Sequence, residues 1–202
     1  MTDIAPGLMK TDIAQLSTEI VELLRSKGYT FATAESCTGG AIASAITKVA
    51  GCSDVMLGGV VAYHNNIKQN VLGVSAETLN RYGAVSEAVV REIVEGVSAR
   101  FAAGCAVATS GVAGPGGGTP EKPVGTLWVA VKAGDDVVTH LLQLEDCGRE
   151  CNIQQTVCEA LGLVKAVLKR LSGIVMRTFQ VSTSLKILTN ASPFEIAYCE
   201  GV

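Results

Sequence analysis

Large rings are scarce in this chain, with four Phe, four Tyr and one Trp among 202 residues. The interior must therefore be filled with Ala, Val, Ile and Leu, and an apolar share of 48% is enough to do so without covalent staples. Charge is also in short supply. Sixteen basic residues against nineteen acidic ones leave a net charge of −3. No basic stripe runs along any segment, so a surface built to neutralise nucleic-acid phosphates is not expected. No apolar run approaches the ~20 residues of a membrane span. Residues 1–10 lack a basic stretch followed by an apolar one, so no secretory leader is expected and a cytoplasmic location is the default. Histidine occurs twice, and none of the seven cysteines forms a Cys-x-x-Cys pair. Cys147, Cys151 and Cys158 lie close together, but their spacing matches no common zinc pattern and no His stands beside them. No metal is expected, and the thiols are expected to be reduced and mostly buried.

Glycine is plentiful instead, and it is clustered: the chain holds 22. One cluster closes the stretch Thr33-Ala34-Glu35-Ser36-Cys37-Thr38-Gly39-Gly40. An apolar strand candidate precedes it and a breaker-free run, Ala41 to Val49, follows it as a helix candidate. The first N–H groups of such a helix lack intrahelical partners and carry the positive end of its dipole, so an anion or a developing oxyanion fits there. Gly39 and Gly40 have no Cβ and allow close approach to the main chain. Ser36, Cys37 and Thr38 are all potential nucleophiles, and Ser36 or Thr38 can equally serve as a plain helix cap.

The remaining pattern alternates helices with strands. Thr11–Lys27 is predicted as a helix, with Ile13, Leu16, Ile20, Leu23 and Leu24 on one face. Short strands are predicted at Phe31–Ala34, Val55–Tyr63 and Cys105–Thr109. Helices are predicted at Ala76–Arg81, capped by Ser75, and at Glu87–Phe101, capped by Ser86. Val124–Lys132 and Val137–Leu144 flank Gly134-Asp135-Asp136 as a hairpin. Cys151–Leu171 is predicted as a long amphipathic helix. These elements imply a three-layer α/β/α fold whose central sheet is mixed and mostly parallel. The compact domain is placed at residues 1–171. Residues 172–202 form an extension of unknown role, with strand at Thr178–Leu188 and a tail at Ala197–Val202.

Three loops leave strand ends, at Ser36–Gly40, Tyr63–Lys68 and Ser110–Thr119. If their strands are neighbours, the loops meet in one pocket. It would then contain Ser36, Thr38, Tyr63, His64 and Lys68, a set suited to acyl transfer. A serine hydroxyl needs a base to take its proton. Lys68 can serve if burial keeps it neutral, and His64 is a second candidate base. The N–H groups of Gly39 and Gly40 are the expected oxyanion donors. The glycine-rich loop after Ser110 matches neither a Walker A loop nor a Gly-x-Gly-x-x-Gly fingerprint. It suits either a phosphate cradle or a simple cover. Arg149, at the start of the long helix, can hold a phosphate or carboxylate, or be a surface charge.

Five ordered motifs carry a resemblance over about Leu16 to Leu168. They are the Thr33–Gly40 stretch, Tyr63-x-Asn65-x-x-Lys68, Gly83-Ala84-Val85-Ser86-Glu87, Ser110-Gly111-Val112-Ala113-Gly114-Pro115, and Lys122-Pro123-Val124-Gly125-Thr126. Together they resemble the CinA C-terminal domain family, the nicotinamide-nucleotide amidases. The resemblance implies hydrolysis of the carboxamide of nicotinamide mononucleotide to nicotinate mononucleotide and ammonia, by a serine–lysine pair without metal or cofactor. It implies Ser36 as nucleophile, Lys68 as base and Tyr63 as support for the lysine. It also implies that Thr38, Gly39, Gly40, Ser110, Gly111, Gly114 and Arg149 line the oxyanion and substrate sites. Partners are expected to be the small-molecule substrate and a second copy of the chain, as a homodimer or higher homo-oligomer. Longer relatives carry an additional N-terminal domain, which this chain is too short to hold.

The chain departs from the family pattern near Arg149. Cys147-Gly148-Arg149 stands where Gly-Asp-Arg is usual, a second arginine is missing near Ile153-Gln154, and Gly116 replaces a frequent Asp. The altered Cys147-Gly148-Arg149 stretch and the missing second arginine motivate a rival expectation, an inactive nucleotide-binding or protein-interaction module of the competence/damage-inducible type.

Overall fold

The computed structural model describes the backbone of residues 6–188 and the side chains of residues 13–171. The predicted tail at Ala197–Val202 lies outside the described residues. The chain divides into two compact units, Met1–Leu168 and Lys169–Val202, and the sheet and the pocket belong to the first.

Five strands form one sheet: β1 (Phe31–Glu35), β2 (Met56–Val61), β3 (Cys105–Gly111), β4 (Thr126–Ala133) and β5 (Asp136–Gln143). Their order across the sheet is β2-β1-β3-β4-β5. β1 pairs in parallel with β2 and β3, while β4 is antiparallel to both β3 and β5. The mixed sheet expected from the Gly134 hairpin is present, with parallel and antiparallel pairings in equal number. Among the described residues six α-helices flank it: α1 (Pro6–Lys27), α2 (Ala41–Thr47), α3 (Asn65–Leu72), α4 (Ala76–Tyr82), α5 (Glu87–Phe101) and α6 (Arg149–Leu188).

β1 and β3 are buried on both faces, as inner parallel strands are. Successive side chains point to opposite faces. Ala32, Ala34, Ala106, Ala108 and Ala130 line the face that packs on α3, α4 and α5, against Leu72, Leu79, Val90, Ile93, Val94 and Val97. Alanine on the strands lets α5 lie close, which is how a core poor in rings is closed. The same economy brings α5 onto α3: a Cβ on Gly96 would run into the carbonyl of Leu72. The opposite face takes Phe31, Thr33 and Glu35 from β1 and Val107 and Thr109 from β3. On that side α1 and α6 are joined by the Lys165–Glu19 ion pair, 2.5 Å long.

Helix caps fall where sequence placed them. Ser75 Oγ accepts from the Glu77 and Thr78 N–H groups, and Ser86 Oγ from that of Val89. The expected strand at Thr178–Leu188 is corrected to helix, because α6 runs on through it. No proline lies between Arg149 and Leu188 to stop the helix, and Gly162 and Gly173 are its only glycines.

Candidate active site

Because β1, β2 and β3 run in one direction, their C-terminal ends open at one edge of the sheet, where α/β folds place ligands. A cavity of about 210 Å³ lies there. Ser36 and Cys37 reach it from the turn after β1, and Tyr63, Asn65 and Lys68 from the segment after β2. Ala84 and Val85 come from the approach to α5, Ser110, Gly111 and Ala113 from the end of β3, and Arg149 from the start of α6. Residues from all three strand-end loops thus share one wall. A wider groove of about 790 Å³ runs between α1, α2 and α6, but Lys48 is the one titratable residue lining it, and among the described residues no hydrogen bond joins its amine to the Thr18 or Ser44 hydroxyl.

Lys68 is on the buried side of α3 and is 1% exposed. Its Nζ donates to the Ala62 carbonyl at 2.7 Å and the Tyr63 carbonyl at 3.1 Å, and lies 3.3 Å from Ser36 Oγ. Burial holds its pKa below the ordinary lysine value, against a smaller opposing effect of Cys37. A neutral amine has two N–H bonds and one lone pair. The two carbonyls take the N–H bonds, and the lone pair is left for the Ser36 hydroxyl. The 3.3 Å separation is at the long end of direct contact, and such contacts tighten when substrate is bound.

Of the three candidate nucleophiles in the turn, Ser36 is the one hydrogen-bonded to this amine among the described residues. Thr38 Oγ1 is buried and lies 2.8 Å from Thr109 Oγ1. The Cys37 thiol is also buried, and burial is the main cause of its pKa being pushed up to about 11. A thiolate is therefore not available near neutral pH. Ser36 remains.

The oxyanion donors expected from Gly39 and Gly40 need correction. The Gly39 N–H donates to the Ser36 carbonyl at 3.2 Å. Glu35 Oε2 accepts from the N–H groups of Gly40 and Ile42, both at 3.0 Å, and Glu35 Oε1 from that of Ala43 at 2.8 Å. The N-terminus of α2 is thus occupied by the chain's own carboxylate, 1% exposed, and is closed to a substrate anion. The N–H groups of Cys37 and Thr38 donate to no oxygen among the described residues, and both lie against the Cys37 sulfur.

Tyr63 is also placed differently from expectation. Its main-chain carbonyl holds Lys68, but the residue is 61% exposed and its hydroxyl is 3.2 Å from Arg149 Nη2. Lys68 folds back onto the main chain that precedes α3, and this leaves the phenol at the mouth. Arg149 Nη1 donates to the Gly114 carbonyl at 2.8 Å, so one guanidinium joins Tyr63 to the glycine-rich loop. Ser110 Oγ donates to the Ala84 carbonyl at 2.7 Å and ties two walls together. Gly111 must be glycine because a Cβ would stand 2.7 Å from Leu127 Cα. Gly114 has φ +82, and its Cβ would meet Val124. His64, the second candidate base, is engaged otherwise: its Nδ1 accepts the Asn66 N–H at 3.2 Å and caps α3.

Two functional placements had no sequence forecast. Glu35 is one; a carboxylate six residues ahead of the first residue of α2 was the available signal. Asn152 is the other. It is fully buried, and its Nδ2 donates to the Ala113 carbonyl at 3.1 Å and to Asp146 Oδ1 at 3.0 Å. The expectation of reduced thiols is corrected at one pair. Cys147 and Cys151 are joined by a disulfide, with Cα atoms 5.6 Å apart. The turn at Gly148, φ +93, brings Cys147 back over the first turn of α6 and sets the two sulfurs side by side.

Residues 13–168 match the model of the CinA C-terminal domain family. A CinA-like protein of Cytophaga hutchinsonii is 48% identical over 158 residues, which is 78% of this chain and 38% of that relative. One from Thermotoga maritima is 50% identical over 112 residues, 55% of this chain and 28% of the relative. The chain therefore spans well under half the length of these curated relatives. Among solved structures, competence/damage inducible protein CihA from Agrobacterium tumefaciens superposes with a TM-score of 0.76 at 42% identity, covering 78% of this chain and 96% of that one. A CinA-superfamily protein from Klebsiella pneumoniae gives 0.75 at 35% identity, covering 78% and 98%.

Proposed function

The chain belongs to the CinA C-terminal domain family, and from that premise we propose that it is an amidohydrolase. Its substrate in this proposal is nicotinamide mononucleotide, which it converts to nicotinate mononucleotide and ammonia. The observation that carries the proposal is the buried Lys68 amine, anchored by two carbonyls and 3.3 Å from Ser36 Oγ. A lysine held this way has no salt-bridge partner among the described residues to keep it charged, and its remaining contact is the hydroxyl it would deprotonate.

In this mechanism Ser36 Oγ attacks the carboxamide carbon while Lys68 Nζ takes the hydroxyl proton. The N–H groups of Cys37 and Thr38 replace Gly39 and Gly40 as oxyanion donors, since the glycine N–H groups are already engaged. The lysine returns the proton to the departing nitrogen, ammonia leaves, and an ester to Ser36 remains. Lys68 then activates a water, and the ester is hydrolysed to the free carboxylate. A cavity of about 210 Å³ is smaller than the ~300–1,000 Å³ of a site enclosing a whole drug-sized ligand. It suits the pyridine carboxamide, with ribose and phosphate extending through the mouth beside Arg149.

The test is an ammonia-release assay with nicotinamide mononucleotide. Wild type turns over, and Ser36→Ala and Lys68→Ala each lose ~10²-fold or more. Nicotinamide riboside, which lacks the phosphate, shows whether the anion at the mouth matters. Absence of turnover by folded wild type, with the nucleotide still bound, would instead favour the inactive binding module suggested by the altered stretch around Arg149.

A further inference from the structure

The Cys147–Cys151 bridge encloses Gly148, Arg149 and Glu150, so one of the three residues it spans is the arginine at the pocket mouth. A crosslink between residues four apart does little to hold the fold together. It constrains one turn, and this turn is joined to the pocket by three side-chain links. Arg149 reaches the Gly114 carbonyl and the Tyr63 hydroxyl. Asn152, in the same first turn of α6, reaches the Ala113 carbonyl. Asn152 Oδ1 also accepts the Cys147 N–H at 3.4 Å and lies 3.4 Å from Cys147 Sγ. That second contact becomes an S–H···O hydrogen bond once the thiol is free. Cys147 is an exposed residue and Cys151 is half-buried, so an attacking thiol approaches the bridge from the Cys147 side.

We propose that Cys147 and Cys151 form a thiol–disulfide exchange site whose oxidation state sets how firmly Arg149 is held at the mouth of the Ser36–Lys68 pocket. The reductant is a dithiol. Its thiolate attacks one protein sulfur, the S–S bond breaks, and the departing sulfur takes a proton. The second thiol of the reductant then attacks the mixed disulfide, leaving two protein thiols and an oxidised reductant. Oxidised protein holds the turn closed with Arg149 fixed across Tyr63 and Gly114. Reduced protein frees residues 147–151 from the crosslink, and Arg149 must be ordered again at each binding event. The effect falls on KM, because the arginine touches neither Ser36 nor Lys68. Ordering one long side chain corresponds to roughly 2- to 12-fold in KM.

The catalytic part of this proposal rests on the amidohydrolase function proposed above, so the experiment has an arm that does not need turnover. The intact chain is equilibrated with dithiothreitol or with oxidised glutathione, alkylated and mapped by peptide mass. Hydrogen–deuterium exchange is followed in the same samples. Oxidised protein should yield a linked 147–151 peptide. Reduction should raise exchange in the peptides covering 112–118 and 146–152 while leaving β1 and β3 unchanged. KM for nicotinamide mononucleotide should rise on reduction with kcat within twofold, and the Cys147→Ser/Cys151→Ser variant should keep the reduced value in either buffer. The proposal is overturned if both cysteines remain alkylatable after oxidation. It is also overturned if exchange at 112–118 does not respond to reduction. If exchange responds but no ammonia is released in any state, the coupling stands and the amidohydrolase function fails.

Discussion

The Glu35 carboxylate accepts the Gly40 N–H at 3.0 Å, across the turn that carries Ser36. An acid adjacent in sequence to the nucleophile thus anchors the helix that follows it. The carboxylate also takes the N–H groups of Ile42 and Ala43, so the start of α2 is satisfied from within. What this closes to a substrate it returns as rigidity in the Ser36 turn.

Removing that anchor should be costly. Glu35→Ala leaves three donors at a partly buried helix start with no side chain to accept them, and the loss should be about 2 kcal/mol in urea unfolding. Glu35→Gln keeps one carbonyl acceptor but loses the charge opposite the dipole, and should cost less, about 1 kcal/mol. Equal midpoints for wild type and Glu35→Ala would show that the turn is held by something else.

Lys68 predicts the pH profile. Burial lowers its pKa in the folded chain, so the neutral amine appears at a lower pH than in an ordinary lysine. The rate kcat/KM should therefore be low in acid and rise with pH through the folded pKa as the base form fills. Stability should follow the same sign. Between the folded pKa and the higher unfolded value the unfolded chain binds more protons, so unfolding free energy climbs with pH across that window. Lys68→Arg should lose ~10²-fold or more in kcat, because a guanidinium does not give up its proton. An active arginine variant would show that the group acts as a charge and not as a base.

Tyr63 separates two roles that sequence spacing merged. The motif Tyr63-x-Asn65-x-x-Lys68 suggests a phenol beside the amine, but the hydroxyl is on Arg149 and only the carbonyl is on Lys68. Tyr63→Phe should therefore leave kcat within about twofold and raise KM roughly 2- to 10-fold, the worth of one partly exposed hydrogen bond. A large fall in kcat with KM unchanged would restore the phenol to the chemistry.

The sequence was legible wherever one local rule decided the outcome. Ser75 and Ser86 cap their helices, the Gly134 turn joins β4 to β5, and the strand ends converge as parallel neighbours require. It was silent where two distant groups compete for one partner. Nothing local says that Glu35, rather than a ligand, takes the Gly40 N–H, or that His64 caps α3 instead of serving Ser36. The helical course through Thr178–Leu188 was hidden for a different reason: β-branched residues favour strand by propensity, while an uninterrupted helix simply continues.

Cys37 offers the sharpest control on the identity of the nucleophile, because it is next in sequence to Ser36 and intrinsically the better attacking atom. Its thiol is 6% exposed, and its pKa is pushed up to about 11. At pH 7.5 almost none of it is ionised, so iodoacetamide should modify it far more slowly than an exposed cysteine. Cys37→Ala removes one buried sulfur and should cost about 1 kcal/mol of stability while ammonia release stays within about threefold of wild type. Cys37→Ser tests the same point from the other side, since it adds a second hydroxyl beside the one that Lys68 already contacts at Ser36. If Cys37→Ala were as inactive as Ser36→Ala, with its urea midpoint near that of wild type, the acyl group would have to be carried by sulfur. The 3.3 Å contact between Ser36 and Lys68 would then be part of the support for that thiol and not the reacting pair.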